Sequence, residues 1–322
     1  MKIYITNKTG THNITEYVGT VTLSGDYQLC ARQLDFNIVS NALDKNLKVI
    51  DCELGSGVML TENGQVIFNG FIFQRDKSTD DSLIDITCFD RGIYLKRNKG
   101  VYNVSSTAEA ITKRICTDFG INVGKLATTG VNIKRKFIGV TLLDIIQTMY
   151  SIASETTGKK YVLRFENDKL CVVERNETAV LYLDGNVNLM SSVTSESASS
   201  MVNQVAIYDD KNKLINTLKN NDNISKFGLF QEYLKKGKDD VNKKAKQMLE
   251  DGGIQQKITV SNIGNINCIS GNSLTVKEPY TGVCGLFYID SDVHTWKGGQ
   301  YYNKLTLNFK KIMSNKTSGS DS

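Results

Sequence analysis

The sequence predicts a mainly β fold of α+β type, with strand-rich regions toward both ends and a smaller mixed region between them. Three observations predict it. Apolar and polar residues alternate in both outer regions, the period of a half-buried strand. Asn63-Gly64 and Asn167-Asp168 lie between apolar runs, where residues that tolerate positive φ close a hairpin. Helical spacing with cap signals occurs between Ser106 and Gly158, and once more around Ala245.

Residues 1–98 read as a compact antiparallel sheet or barrel. Leu34, Phe36 and Ile38 alternate with Gln33, Asp35 and Asn37. The run from Leu60 to Phe68 folds back at Asn63-Gly64, and Ile84 to Phe89 supplies another strand. Residues 99–190 read as an α+β module. Ser106-x-x-Glu109 has the form of a capping box, followed by Ala108, Ile111, Ile115 and Phe119 on one helical face, with Gly120 as the stop. A second helix starts at Thr141, with Asp144 three residues on, and Leu142, Ile146, Met149 and Ala153 form its stripe up to Gly158. A hairpin of Tyr161–Phe165 and Leu170–Val173 closes the module.

Residues 191–322 read as a linker and a second β region. Positions 191–200 are small and polar and are expected to form a linker or long loop. Strands follow at Val202–Tyr208, Lys257–Val260, Ser273–Val276, Gly285–Ile289 and Tyr301–Ile312, the last with Tyr301, Leu305, Leu307 and Phe309 on one face. One helix is inserted at 239–250, with Val241, Ala245 and Met248 as a narrow stripe and Gly252-Gly253 as its stop. The polar run 316–322 is expected to fray.

Composition narrows the function classes. A chain of 322 residues suits two or three domains, and 40% hydrophobic with 23% charged residues excludes a largely disordered chain. The net charge of +5 is too small to imply nucleic-acid binding without a dense basic patch. Seven cysteines, an odd number without a C-x-x-C pair, read as buried free thiols of a protein assembled in a reducing cytoplasm. No stretch resembles a cleavable signal, and no apolar run nears the roughly 18 residues that span a bilayer, so no membrane insertion is expected.

The catalytic inventory is thin. Only His12 and His294 are present, with no H-E-x-x-H and no Cys/His cluster at ligand spacing, so neither a metal nor a cofactor is expected. His294 and Cys284 are the one sequence-adjacent Cys/His pair, read as an exposed loop histidine near a core cysteine. The carboxylates Glu53, Asp90 and Glu278 are available for hydrolysis on paper, but nothing selects a pair among them. Gly55-Ser56-Gly57 lacks the following Lys-Ser/Thr of a phosphate loop and reads as a turn. The basic stretches 96–99, 134–136 and 235–238 with Lys243, Lys244 and Lys246 read as solvated surface. Trp296, Tyr301 and Tyr302 read as anchors of the closing strand, with an inter-subunit patch as the alternative. No catalytic, cofactor-binding or metal-binding residue is assigned.

Three segments carry a family resemblance. Gly19–Gln28 followed by Ala31–Phe36, the run Phe89–Asn98, and Asp290–Tyr301 with Leu305-Thr306-Leu307 resemble, in order and spacing, the corresponding segments of XkdQ-type phage tail baseplate hub proteins. That family is similar to the late control gene D proteins and, more remotely, to the central hub of T-even phages. The resemblance implies two antiparallel tube-type β-barrel domains flanking a smaller α+β domain, in a homotrimer. That trimer would adapt a hexameric tail tube to a trimeric spike in a contractile phage-type tail or a phage-tail-like bacteriocin. The implied partners are the tail tube protein or tube initiator, the spike protein and other baseplate proteins, with DNA at most passing through the lumen. The implied location is the tail baseplate of a particle assembled in the bacterial host cytoplasm. The alternatives are a tail-associated peptidoglycan hydrolase and a carbohydrate-binding module using Trp296.

Overall fold

The structure, a computed structural model, describes residues 1–40, 50–78, 82–237 and 240–320. The chain divides into two compact units, Met1–Ser192 with Thr259–Ser322, and Val193–Ile258.

The first unit begins with seven strands: β1 (Lys2–Asn7), β2 (Gly10–Asn13), β3 (Val18–Asp26), β4 (Leu29–Val39), β5 (Gly57–Glu62), β6 (Gln65–Lys77) and β7 (Leu83–Asp90). They pair in the order β3-β4-β7-β6-β5-β1-β2, every ladder antiparallel. The β5–β6 turn is the expected one, since Asn63 and Gly64 both have positive φ, 48° and 80°. Leu34, Phe36 and Ile38 point into a core with Ile3, Ile5, Leu60, Phe68 and Ile86, while Gln33, Asp35 and Asn37 stay half-exposed.

The middle of the chain follows with α1 (Gly92–Arg97), β8 (Lys99–Ser106), α2 (Ala108–Asp118), β9 (Val123–Leu126), β10 (Ile133–Thr141), α3 (Leu142–Thr157), β11 (Tyr161–Glu166) and β12 (Lys169–Glu174). β8 and β10 form a two-stranded ribbon, and β11-β12-β9 a small sheet. Helix α3 matches expectation. Thr141 Oγ1 accepts from the Asp144 N–H at 3.1 Å, Gly158 ends it at φ 71°, and Leu142, Ile146, Met149 and Ala153 are buried in one core with Phe137, Tyr150 and Tyr161. Each large apolar side chain so buried stabilises by about 1.5–3 kcal/mol.

The start of α2 is corrected. Its N-cap is Thr107, whose Oγ1 accepts from Ala110 N. Ser106 is the last residue of β8, held opposite Ile133, and the ladder takes it out of the helix. Glu109 turns instead to Thr129, accepting from its N–H at 3.2 Å and its hydroxyl at 2.8 Å. Phe119, expected on the apolar stripe, is the C-cap and remains exposed. The short α1 was not anticipated.

The chain then runs through β13 (Ala179–Asp184) and β14 (Leu189–Ser197) into the second unit, with β15 (Gln204–Tyr208), β16 (Leu214–Lys219), α4 (Asn221–Phe227), β17 (Gln231–Lys235) and α5 (Val241–Asp251). It returns through β18 (Gln255–Ile263) to β19 (Ser273–Glu278), β20 (Val283–Lys297) and β21 (Gln300–Asn308). Positions 191–200 are therefore largely strand, not linker: β14 pairs with β18. Backbone ladders need no apolar side chains, so a Ser/Thr-rich stretch extends as a strand once a partner edge is present. β21 ends at Asn308, short of the expected Ile312, and Phe309 is exposed.

In the second unit β16-β15-β17 backs onto α5 through Val205, Ile207, Leu234 and Ala245, with Val241 and Met248 at the rim. Asp240 caps α5, accepting from Asn242 N and Lys243 N, and Gly252 is its C-cap. Asp239, the expected first residue of this helix, lies outside the described residues, as does Lys238 of the neighbouring basic run. Helix α4, capped by Asn220, was not anticipated.

The mainly β class holds and most ladders of the large sheet are antiparallel, with β13–β19 parallel, but among the described residues the sheet follows an open path. A second set of strands, β14-β18-β21-β20 with β19 and β13 to the side, continues into the first through β20. This 15-residue strand pairs β19 along its first part, from Val283 to Tyr288, and β3 along its second, from Ser291 to Trp296. Its length carries one ladder into the other, so the two strand lobes share one sheet.

The segment after β21 is also corrected. It does not fray. Met313 joins the core around α3, Ser151 Oγ donates to Ser314 O at 3.1 Å, and Ser320 pairs with Lys136 of β10. Residues 321 and 322 lie outside the described residues.

Candidate functional site

The densest polar cluster lies where β20 passes from one lobe to the other. Phe287 and Ile289 face the interior, and unbroken alternation would bring Ser291 and Val293 in next. A bulge between Ile289 and Ser291 changes the parity instead. Beyond it Asp292, His294 and Trp296 are the buried residues, while Ser291, Val293 and Thr295 are only partly covered. One extra residue thus turns the polar side of the strand inward.

Neighbours hold most of the inward polar groups, although His294 Nε2 and Asn262 Oδ1 make no hydrogen bond. The Arg32 guanidinium of β4 forks onto Asp292, with Nη2 on Oδ2 and Nη1 3.3 Å from Oδ1, and Oδ1 also accepts from Ser270 N at 2.6 Å. His294 Nε2 lies 3.2 Å from Asp292 Oδ2. On the other side of the ring, Nδ1 is 2.7 Å from Tyr301 Oη and 2.9 Å from Asn303 Nδ2. Asn303 Oδ1 accepts from Asn265 N at 2.7 Å and from Asn262 Nδ2 at 3.2 Å, which fixes its amide orientation. Its NH2 then donates to His294 Nδ1, and Nε2 faces Asp292 at ion-pair distance without hydrogen-bond geometry. Trp296 stacks on Tyr301 at 4.5 Å and 11° and donates from Nε1 to Glu62 at 3.0 Å, and Glu62 also holds the Met1 amino group at 3.1 Å.

Burial disfavours the charge of both acids, and their partners decide the net direction. Burial disfavours the Asp292 charge, but Arg32 and His294 more than offset it and hold the carboxyl well below the ordinary range. Asp90, at the end of β7, is buried without such a partner. Burial pushes it up to about 7, although its carboxylate accepts from Gly92 N and from Arg32 N. The Arg32 charge opposes this rise without cancelling it, its guanidinium being forked onto Asp292.

A histidine–aspartate pair near a cysteine is raw material for nucleophilic hydrolysis. Here the nucleophile is disabled. Cys268, which Asn262 Nδ2 contacts at 3.9 Å, is buried, and burial pushes its thiol up to about 12. His294 and Asp292 are 1% and 0% exposed, so no substrate reaches them. The network is suited to locking the β3–β20 ladder, since removing one partner of a buried, hydrogen-bonded pair costs about 3–5 kcal/mol.

A second lock is the wholly buried Arg175. It donates to Ile289 O at 2.6 Å and Ile312 O at 2.7 Å, pairs with Asp290 at 2.8 Å, and lies between the rings of Tyr27 and Tyr288. It ties the bulge to the segment after β21. Nothing in the sequence pattern set it apart from other arginines.

The residues weighed in the sequence do not converge. The histidine and cysteine readings are inverted: His294 is buried on β20, and Cys284 is the exposed thiol, while the other six cysteines are buried and all seven are free. His12, on β2, contacts Thr9 Oγ1 at 2.8 Å. Glu53 is exposed beside Lys8, Asp90 is buried, and Glu278 accepts from Tyr280 N. Gly55-Ser56-Gly57 is a turn, with Ser56 N donating to Glu53 O. Of the basic stretches, Lys96, Arg97 and Lys99 are exposed, as are Lys243, Lys244 and Lys246 on α5. Arg135 is engaged with the carbonyls of Ser318 and Gly319. Trp296 and Tyr301 are core anchors, in the first lobe rather than the second, because β20 crosses into it. No group of three or more metal-ligating side chains occurs among the described residues, nor any helix long and apolar enough to cross a membrane.

Known proteins share this architecture. The chain is 26% identical over 307 residues to the phage-like element PBSX protein XkdQ of Bacillus subtilis, covering 91% of this chain and 93% of that one. Its fold is similar to the 43 kDa tail protein of prophage MuSo2 from Shewanella oneidensis, with a TM-score of 0.72 at 12% identity over 95% of this chain and 96% of the other. It is also similar to an Escherichia coli type VI secretion component, itself described as structurally similar to the T4 tail proteins gp27 and gp5, with a TM-score of 0.52 at 12% identity over 95% of this chain and 76% of the other. The YQBQ-like family model matches residues 21–308, almost the entire two-lobed sheet and the mixed region within it, and the chain belongs to that family.

Proposed function

We propose that this protein is a structural component of a phage-type tail baseplate, acting as the hub that adapts the hexameric tail tube to the trimeric spike. The observation that carries the reading is the pair of strand lobes joined by β20. If each lobe serves as one tube-type barrel wall, three copies present six similar faces toward the tube and three-fold symmetry toward the spike. The division into residues 1–98, 99–190 and 191–322 belongs to the same proposal, the outer parts supplying the two tube-like domains. The likeness to a phage-like element protein and to a secretion component described as similar to T4 tail proteins supports it.

The buried locks suit such a part. A hub needs rigid lobes and edges that pair with neighbours, and no nucleophile. Cryo-electron microscopy of the protein with its tube and spike partners tests the reading: three copies at a tube end are expected, and any other copy number or position refutes it. A zymogram on peptidoglycan tests the hydrolase alternative, for which the buried Cys268 and the scattered carboxylates supply no machinery.

A further inference from the structure

The segment after β21 behaves as an arm with a built seat. Arg175 holds Ile312, Met313 enters the core, and Ser151 Oγ takes the Lys316 N–H at 3.2 Å. Lys316 Nζ lies 3.6 Å from Asp144. Residues 315–317 are then exposed, and 318–320 dock again on the edge of β10 that β8 leaves free. There Arg135 donates to the carbonyls of Ser318 and Gly319, and Ser320 exchanges both backbone hydrogen bonds with Lys136, at 2.8 and 2.9 Å.

The seat selects its occupant. Gly319 has φ 73°, and a Cβ there would stand 2.5 Å from Lys136 O and 2.8 Å from the Phe137 ring, so a glycine is required. Beside the seat, Val101 and Ile138 face each other across the β8–β10 ladder and are 70% and 65% exposed. A cross-strand apolar pair left open next to a capped edge marks a face that something covers.

We propose that residues 318–320 are an exchangeable arm and that, in an assembly of copies, the β10 seat takes the 318–320 segment of a neighbouring copy, whose body covers Val101 and Ile138. The occupant follows from the seat, which already accepts this Ser-Gly-Ser sequence and which every copy carries. Exchange replaces each contact with an identical one, so its balance depends only on the local concentration of arms. In a dilute chain the tethered arm wins. Side by side, as in the assembly proposed above, the neighbour's arm competes on equal terms.

Residues that exchange both hydrogen bonds across an antiparallel bridge have Cα atoms about 5.5 Å apart, within the roughly 4.4–6.8 Å that a disulfide spans. The test uses two full-length variants, Lys136→Cys and Ser320→Cys, each with Cys284→Ser to remove the exposed native thiol. The variants are mixed and oxidised over a concentration series, and again after assembly on tube ends. A disulfide-linked dimer containing one of each variant, rising with concentration or assembly and lost when Gly319→Ala is added, is the expected result. If the doubly substituted chain closes on itself while the mixture stays monomeric under both conditions, or if the dimer survives Gly319→Ala, the exchange is refuted. The copy number seen by microscopy is independent of this outcome, so failure of the arm and failure of the hub reading are distinguishable.

Discussion

Asp90→Asn should make the protein more stable, and increasingly so as the pH rises. Asp90 is 4% exposed, and the Arg32 guanidinium is forked onto Asp292. Burial therefore raises its ionisation from an ordinary 3.8 to about 7. A group whose folded value is raised contributes its full stability below about 4 and loses it progressively as the pH climbs to about 7. Each pH unit in that window is worth about 1.36 kcal/mol, so the native carboxylate carries a penalty of about 4 kcal/mol at pH 8 and about 2 kcal/mol at pH 5. Asparagine keeps an oxygen to accept from Gly92 N and never ionises. The stability gap between the variant and the native protein should widen by about 2–3 kcal/mol between pH 5 and pH 8. Urea unfolding followed by Trp296 fluorescence reads this directly, because the single tryptophan is buried in the unit that contains Asp90. A variant whose stability follows the same pH dependence as the native chain would refute the buried, unpaired carboxyl.

Asp292 should show the opposite sign in a different window. Its ionisation is held below the ordinary range, so its contribution is present above about 4 and is lost on acidification below that, and Asp292→Asn should cost about 3–5 kcal/mol at pH 7 in the same unfolding assay by leaving the Arg32 charge buried and unanswered. Trp296→Phe should cost about 1–3 kcal/mol, from the lost bond to Glu62 and the reduced stack on Tyr301, read by calorimetry because it removes the fluorophore. Cys284 should react first with a thiol reagent under native conditions, with the other six protected until denaturant is added; fast labelling of two or more would contradict the burial pattern. Gly64→Val should destabilise the β5–β6 hairpin by about 1–2 kcal/mol, since a β-branched residue is strained at φ 80°.

The sequence by itself determined whatever depends on neighbours a few residues away. Helix α3 followed from Thr141, Asp144, its four-residue stripe and Gly158, all local capping and periodicity. The hairpins at Asn63-Gly64 and Asn167-Asp168 followed from residues that accept positive φ, and both turns show it. The three signature segments pointed to the family for the same reason, being contiguous runs that survive without knowledge of the fold.

Only the tertiary structure decided the rest. The bulge after Ile289 reversed which residues of β20 are buried, so that a strand whose hydropathy would turn Val293 inward buries Asp292 and His294 instead. A parity change of this kind is set by the partner strands β3 and β21, and hydropathy carries no trace of it. The pairing of Arg32 with Asp292 and the staple at Arg175 join residues that lie 260 and more than 100 positions apart, and the burial of Asp90 likewise depends on neighbours distant in sequence. The Ser-rich β14 and the docked 313–320 segment likewise owe their order to edges and seats built elsewhere in the chain. Charge and hydrogen bonding act through space, and the chain brings their partners together only after it has folded.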